Sequence, residues 1–332
     1  MARFWETWEL KDDGSPVHPI RLGASACLLG ERVRFDGGHK QNKFMLQDLK
    51  PYVEWVPVCP EVEMGMSIPR ETIRLVGEIE DPELIGPKTE TNYTKTMKDW
   101  SAERLPGLVN ENLHGFVLKK DSPSCGLFRV RVYNEKGMPT RAGRGLFARA
   151  LVDDMPLLPV EEEGRLRDPY LRENFIMRVF TLYRWSRLMA SHPTTHELVS
   201  FHASLRMLLM AHHPAKAKEM GRWVSQAGSL SLDEFTTEYH RMMMECLASR
   251  PNRGRQCHVL SRLMGFLKQV LSSDEKQELS EVIQDFRQGM VPLLVPITLL
   301  RSYFRRHTVP DWIHEQVYLN PYPKELMLRT VL

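Results

Sequence analysis

The sequence predicts an α/β domain with a mostly parallel sheet, followed by an all-α domain. In the first half of the chain, short apolar segments alternate with longer segments of helical periodicity, which is typical of strands joined by crossover helices. From Leu171 onward the strand patterns largely disappear, and apolar residues recur at three- and four-residue spacing. These two patterns indicate that the chain changes fold class near its middle.

Three segments of the first half read as strands because they are short, apolar and bounded by Gly, Pro or charged residues: 20–29, 52–59 and 113–120. Between and after them, helical spacing predicts helices over 40–50 and 91–105 and a third beginning near Gly143. This order of elements is the basis for predicting a mostly parallel sheet.

The second half contains four segments with clear helical periodicity: 171–191, 194–213, 232–249 and 272–290. The last of these opens with serines and acidic residues, as a helix start should. Residues 156–170 are rich in Pro and charge. The sequence therefore predicts a first domain over 1–160, a linker over 161–170 and a helical domain over 171–332.

Composition is that of an ordinary globular protein, with 42% hydrophobic and 26% charged residues in a chain of 332. No run of 18 apolar residues occurs, so no membrane partner is expected. Residues 1–14 lack the basic start, apolar centre and cleavage site of a secretory signal. We therefore expect a cytoplasmic protein.

The charge is unevenly distributed. Residues 1–170 carry 24 Lys and Arg against 27 Asp and Glu, a net of −3, whereas residues 171–332 carry 21 against 15, a net of +6. The basic half contains two arginine clusters. One is Arg250, Arg253 and Arg255 in "SRPNRGRQ", and the other is Arg301, Arg305 and Arg306 in "RSYFRRH". Arginines beside Tyr and Phe suit contacts with phosphates and bases. The alternative is an ordinary solvated helix face.

Three of the five cysteines share one context, because Cys27, Cys59 and Cys125 each lie at or just beyond the end of a predicted strand. The carboxyl ends of parallel strands meet at one edge of a sheet, where ligands bind. Three thiolates there suit zinc or an iron–sulfur cluster. The alternative is three unrelated buried thiols, which is the interpretation we favour for Cys246 and Cys257.

The neighbours of these cysteines carry polar groups. Cys59 lies in "VCPE", which brings the Glu61 carboxylate two residues away, and Cys125 lies in "DSPSCG", which contains the hydroxyls of Ser122 and Ser124. A site with three cysteine ligands leaves one metal position open. An open position beside a carboxylate and hydroxyls distinguishes a catalytic site from a closed structural one.

The motifs "SACLLG", "VCPE" and "DSPSCG", in this order, together with "GRGLFARAL", resemble the thiouracil desulfidase family over about residues 18–160. The resemblance implies that Cys27, Cys59 and Cys125 bind a [4Fe-4S] cluster and leave one iron without a protein ligand. It also implies that Glu61 is the catalytic acid/base and that the catalytic serine lies in "DSPSCG", with Ser122 preferred over Ser124.

The second half resembles a helical domain of unknown function that occurs fused to the desulfidase domain, through segments such as "HELVSFHASLRMLLMAHHP" and "YLNPYPKELMLR". The fused arrangement resembles proteins that remove sulfur from 4-thiouridine in transfer RNA, which makes thiolated transfer RNA the expected partner. Two alternatives stay open. One is desulfidation of free thiouracil, and the other is a non-catalytic iron–sulfur or zinc protein that acts as a sensor or binding module.

Overall fold

The computed structural model describes residues 18–330. The prediction that the chain has no secretory signal concerns residues 1–14, which lie outside the described part of the chain. The described residues form two compact units, one ending at Asp168 and one beginning at Pro169. The predicted fold class, α/β followed by all-α, is confirmed.

The described part of the first unit contains eight strands and three α-helices. In chain order these are β1 (Ile20–Ser25), β2 (Val53–Val58), α1 (Pro60–Glu63), β3 (Arg74–Val76), β4 (Glu83–Ile85), α2 (Thr94–Asn110), β5 (Gly115–Leu118), β6 (Val130–Tyr133), β7 (Pro139–Gly143), α3 (Leu146–Asp154) and β8 (Val160–Glu162). Strands β2, β1, β5 and β8 form one sheet in that order, and every pairing in it is parallel.

The two central strands of this sheet are buried almost throughout, as expected for strands covered on both faces. A β-carbon on Gly23 would lie 2.1 Å from a ring carbon of Phe116, so glycine at this position makes room for the aromatic ring of β5. Phe116 contacts Phe147 of α3 with ring centroids 5.9 Å apart, and Trp100 of α2 packs on Phe147 at 5.4 Å. Phe147 thereby joins both helices to the sheet.

A second, mixed sheet has the order β4, β3, β6, β7, in which only β3 and β6 are parallel. Its strands are short, and they are not predicted from the sequence. Residues 40–50, predicted as an α-helix, instead contain a π-helix (Phe44–Leu49), which is followed by a 3₁₀ turn (Lys50–Tyr52). Pro51 has no backbone N–H, so the preceding helical hydrogen bonds cannot continue through it.

Residues 161–170, predicted to be a linker, instead hold regular structure. They complete strand β8, form a 3₁₀ turn (Arg165–Arg167) and begin the next helix at Pro169. The charged composition is misleading here because Glu161 and Glu162 are buried and hydrogen-bonded within the unit. Composition alone does not distinguish a solvated acidic run from one that accepts backbone hydrogen bonds.

The second unit is built from helices α4 (Pro169–Ala190), α5 (Thr195–His212), α6 (Pro214–Val224), α7 (Leu232–Ala248), α8 (Arg253–Gly265), α9 (Ser273–Gln288), α10 (Leu294–Arg306) and α11 (Asp311–His314). Thr194 and Ser272 begin α5 and α9 with capping boxes, in which the side-chain oxygens of the cap residue and of the glutamate three residues later accept from each other's backbone N–H groups. Cys246 and Cys257 are buried free thiols, as predicted. No helix within residues 18–330 is both long enough and apolar enough to cross a membrane.

Candidate active site

Three neighbouring strands of the parallel sheet deliver the three motif cysteines to one cavity. Cys27 lies in a 3₁₀ turn (Ala26–Leu29) directly after β1, Cys59 directly follows β2, and Cys125 lies in the loop after β5. All three line a cavity of about 420 Å³ at the carboxyl edge of the sheet. The structure therefore brings together residues that are far apart in sequence.

The three thiols are free and largely buried, and burial raises the pKa of each. The pKa of Cys27 rises to about 11, and that of Cys125 rises well above its ordinary value. Mutual repulsion of the thiolate charges raises the pKa of both further, while the Lys119 ammonium lowers that of Cys27. The protein alone thus disfavours three thiolates at this cavity, and a bound cationic centre would reverse that preference.

The three cysteines offer the donor chemistry of an iron–sulfur cluster, because thiolates are the ligands that such clusters use. Their thiols line a shared cavity. Within residues 18–330, no group of three or more His, Cys, Asp or Glu side chains is arranged to hold one metal ion. The chemistry and placement of these donors fit a cluster with three cysteine ligands.

Glu61 lies in the first turn of α1, two residues after Cys59, and its side chain lines the same cavity. Its Oε2 accepts hydrogen bonds from Nε and Nη2 of Arg70 at 3.1 and 2.5 Å. Its Oε1 accepts a hydrogen bond from Oγ of Ser124 at 2.5 Å. Arg70 is nearly buried and also donates to the carbonyl of Val33, so the carboxylate is held on both sides.

The two serines of "DSPSCG" form a chain of hydrogen bonds that ends at Glu61. Oγ of Ser122 lies 3.0 Å from Oγ of Ser124. Because Ser124 gives its single hydroxyl proton to Glu61, Ser122 must be the donor in the contact between the serines. Ser122 in turn accepts from the backbone N–H of Cys125 at 3.0 Å. Ser122 lines the cavity, whereas Ser124 is fully buried behind it.

The "GRGLFARAL" segment, residues 143–151, is hydrogen-bonded to the loop that contains the two serines. The backbone N–H of Gly145 donates to the carbonyl of Gly126 at 2.7 Å, and that of Ala148 donates to the carbonyl of Ser124 at 3.1 Å. A β-carbon on Gly145 would lie 2.4 Å from the Ser124 carbonyl oxygen. The start of α3 therefore fits against the serine loop only with glycine at residue 145.

Three further residues line the cavity and make contacts that are not predicted from the sequence: Arg70, Ser25 and Lys119. Ser25 Oγ accepts from the backbone N–H of Lys119 at 2.9 Å and thereby joins the ends of β1 and β5. Lys119 Nζ donates to Glu163 at 2.6 Å. Lys119 is the first residue of the "KKDSPSCG" motif, so its place in the sequence indicates that it lies near Cys125. No comparable motif surrounds Arg70, and nothing in the sequence indicates that it pairs with Glu61.

The first predicted RNA-binding cluster lies at the start of α8. Arg250 and Arg253 line a separate cavity of about 330 Å³ within the second unit, and the guanidinium of Arg253 lies 5.9 Å from the ring centre of Phe286. Arg255 points elsewhere, because its Nη1 donates to the carbonyl of His212 at 2.5 Å. Two of these three arginines therefore share a cavity, while Arg255 has a structural contact.

The second predicted cluster lies on α10. Arg305 and Arg306 are exposed in the last turn of the helix, and Arg306 lies over the ring of Tyr303 at 4.8 Å. Arg301 is only partly exposed, and burial lowers its pKa. The RNA-binding role of both clusters stays a prediction.

The arrangement of this unit defines a class: an α/β domain whose parallel sheet presents three cysteines, a paired carboxylate and one serine to a single cavity, with a second serine buried behind it. Residues 22–163 match the family model described as 2-thiouracil desulfurase, and residues 206–323 match the one described as Protein of unknown function (DUF1722). The first unit therefore matches the 2-thiouracil desulfurase family over most of its described length, and the second unit matches the DUF1722 family over much of its length.

Two relatives and one solved structure are similar to parts of the chain. The uncharacterized protein YbgA of Escherichia coli (strain K12) is 25% identical over 159 residues, 47% of this chain and 93% of YbgA. The uncharacterized protein YbbK of Bacillus subtilis (strain 168) is 29% identical over 107 residues, 31% of this chain and 70% of YbbK. A structure of the [4Fe-4S]-dependent thiouracil desulfidase TudS is 28% identical, covers 45% of this chain and 93% of its own, and has a TM-score of 0.37.

Proposed function

We propose that this protein is an iron–sulfur-dependent desulfidase that converts 4-thiouridine in transfer RNA to uridine and releases hydrosulfide. The observation that carries the proposal is the single cavity that Cys27, Cys59 and Cys125 share with Glu61. The match of residues 22–163 to the 2-thiouracil desulfurase family model supports the same reaction class.

The three cysteines would hold a [4Fe-4S] cluster and leave one iron without a protein ligand. When bound, such a cluster supplies a thiophilic Lewis acid, because iron, unlike hard cations, has affinity for thiocarbonyl sulfur. The cavity volume of about 420 Å³ falls in the range typical of small-molecule sites.

Glu61 is suited to take a proton from the attacking water. Arg70 occupies both acceptor positions of Oε2, and Ser124 occupies one of the two on Oε1. One acceptor position on Oε1 therefore stays available to a water in the cavity. General-base catalysis of this kind contributes about 10²–10⁴-fold to the rate.

The serine chain would move protons between the cavity and Glu61. Ser122 lines the cavity, donates to Ser124 and thereby connects to Oε1 of the carboxylate. The reaction consumes one water, breaks the carbon–sulfur bond and forms a carbon–oxygen bond. Sulfur leaves as hydrosulfide with release of one proton, so the reaction needs no external oxidant or reductant.

Transfer RNA is the proposed substrate because the second unit belongs to a separate domain family and carries the basic excess of the chain. Its exposed arginines, Arg305 and Arg306, would contact phosphates. Free thiouracil is the second candidate, and one observation favours it. Every residue that lines the cysteine cavity falls between Ser25 and Cys125, so the second unit is not needed to form the cavity.

A substrate comparison tests the proposal. Anaerobically reconstituted protein is incubated with 4-thiouridine-containing transfer RNA and, separately, with free 4-thiouracil, and the thiocarbonyl absorbance is followed. We expect kcat/KM for the RNA to exceed that for the free base. The reverse order favours the second candidate. If the thiocarbonyl absorbance of both substrates stays unchanged, and metal analysis finds zinc or a stable cluster, a non-catalytic binding module or sensor is favoured.

A further inference from the structure

A second cavity of the first unit, about 370 Å³, opens beside the cysteine cavity. Lys120 and Asp121 line both cavities, so the two are adjacent at the loop that leads into "DSPSCG". Arg129 and Arg141 line the second cavity only. Any ligand in this cavity would lie next to the entrance of the catalytic one.

Four cationic side chains line the second cavity. Arg165 is paired with Glu161 at 2.7 Å, and the described residues do not fully neutralise the other three, Lys120, Arg129 and Arg141. Asp121 is the only acid near Lys120 and Arg141 among the ion pairs of residues 18–330, and it lies 3.8 Å from each. The other carboxylate of the cavity, Glu162, is buried and accepts hydrogen bonds from backbone N–H groups of the loop. Arg129 makes no ion pair with any residue in 18–330. This surface therefore suits an anion.

The positive charge is present at a cost to stability. Arg131 and Arg141 are direct partners across β6 and β7, and like charges in that relationship are destabilising. Arg129 has a φ of 55°, a left-handed conformation that disfavours residues with a β-carbon. Strain of this kind persists when the surroundings enforce it and is enriched at functional sites.

An exposed aromatic ring lies within the same cavity. Phe128 is 38% exposed, and the guanidinium of Arg165 lies over its ring at 4.6 Å. The Glu162 carboxylate holds the backbone of Phe128 in place by accepting a hydrogen bond from its N–H at 3.0 Å. Proteins that bind single-stranded nucleic acids use exposed aromatic rings to stack bases and nearby cationic side chains to contact phosphates.

We infer that this surface, formed by Lys120, Phe128, Arg129 and Arg141 and here named the basic shelf, binds the phosphates of the RNA nucleotides that flank the thiolated base. The inference rests on the proposed function and adds a substrate-binding role for the catalytic unit itself. RNA recognition is then not confined to the arginines of the helical unit. The shelf would select a base within a polynucleotide over the free base.

Binding of a fluorescently labelled RNA containing 4-thiouridine by the full chain tests the shelf without requiring turnover. The test variant is Arg129→Gly with Arg141→Thr, and the matched control is Lys136→Ala, an exposed lysine at the tip of the β6–β7 hairpin. Loss of two phosphate contacts should weaken binding about 20-fold at 0.1 M salt and reduce the slope of log Kd against log salt by between about one and two. The control should change Kd less than about twofold.

The same double variant distinguishes a binding role from a structural one. Glycine relieves the left-handed strain at residue 129, and threonine removes the repulsion between residues 131 and 141. We therefore expect the urea midpoint of unfolding to rise while RNA affinity falls. Unchanged Kd and salt slope in a folded double variant overturn the inference, and so does a lower urea midpoint that accompanies the weaker binding.

A second pair of measurements separates failure of the shelf from failure of the proposed function. If the wild type fails to desulfidate either substrate but the double variant still binds RNA weakly, the reaction is wrong and the shelf stands. If the wild type desulfidates RNA and only Arg305→Ala with Arg306→Ala weakens RNA binding, the reaction stands and the shelf is overturned.

Discussion

Oγ of Ser124 donates a hydrogen bond to Oε1 of Glu61 over 2.5 Å, across 63 positions of the sequence. This contact joins the loop after β5 to the helix that follows β2, and it connects the cavity-lining Ser122 to the carboxylate. The two serines therefore have different predicted roles. Ser122 faces the cavity, and Ser124 orients the base.

Removing the two hydroxyls one at a time should have separable effects. Ser124→Ala deletes the donor to Glu61 and should lower kcat about 10-fold to 100-fold with little change in KM, because the carboxylate loses its orientation. Ser122→Ala removes the cavity end of the chain together with the acceptor of the Cys125 N–H, so it should lower kcat and also reduce iron content. Equal kcat in both variants and the wild type would remove the serine chain from the mechanism. Steady-state kinetics with iron quantification checks both.

The guanidinium of Arg70 should matter for its geometry and not only for its charge. Lysine cannot reproduce two N–H groups directed at one oxygen of Glu61, so Arg70→Lys should lower kcat about 10-fold while iron content stays at the wild-type level. Arg104→Lys is the matched control, because Arg104 pairs with Glu63 in a more exposed position. A smaller effect on kcat for Arg70→Lys than for the control would contradict the assignment.

A methyl group at residue 145 should displace the serine loop. The β-carbon of Gly145→Ala would lie 2.4 Å from the Ser124 carbonyl oxygen, so α3 and the loop must separate, at a cost of about 1–3 kcal/mol in the free energy of unfolding. Gly107→Ala in α2 is the control, because its β-carbon would meet only the flexible end of Arg104, and alanine there should stabilise the helix by about 0.5–1 kcal/mol. Urea unfolding of both variants measures the difference, and equal midpoints would contradict the close approach.

The helical unit should lose stability in mild acid. His212 is fully buried, burial lowers its pKa to about 4, and its Nδ1 donates to the carbonyls of Leu247 and Ser249. Because the folded pKa lies below the ordinary value of about 6.5, the unfolded chain binds more protons between these two pH values. The stabilisation is present above pH 6.5 and is lost as the pH falls towards 4.

The size of this effect is up to about 3 kcal/mol for His212 by pH 4. Urea midpoints followed by helical circular dichroism at pH 7 and pH 5 measure it. His212→Asn keeps a hydrogen-bond donor near Nδ1 but cannot titrate, so it should be less stable at pH 7 and should show a smaller decrease between the two pH values. A decrease as large as that of the wild type would show that His212 is not responsible.

The fold class and the position of the cysteines follow from the sequence because both depend on local patterns. The ends of β1, β2 and β5 are marked by Gly, Pro and charge, and parallel strands bring their carboxyl ends to one edge whatever the strand order. Cys27, Cys59 and Cys125 could therefore be placed together before the structure was known.

Other features depend on contacts between distant segments and leave no local signal. Arg70 follows an irregular loop, and only the folded chain shows that it pairs with Glu61. The second sheet is built from strands of three to five residues, which are too short for periodicity to identify. The acidic run at β8 resembles a solvated linker because its hydrogen bonds to the loop at Leu127 and Phe128 are also non-local.

Desulfidation is tested most directly by the decay of thiocarbonyl absorbance when 4-thiouridine-containing transfer RNA is mixed with anaerobically reconstituted protein. We expect complete decay with one hydrosulfide released per thiouridine, no decay with Cys125→Ala, and a decay slowed about 10²–10⁴-fold with Glu61→Gln. Persistent absorbance with wild-type protein that carries about four irons per chain, or full activity of Cys125→Ala, would contradict it.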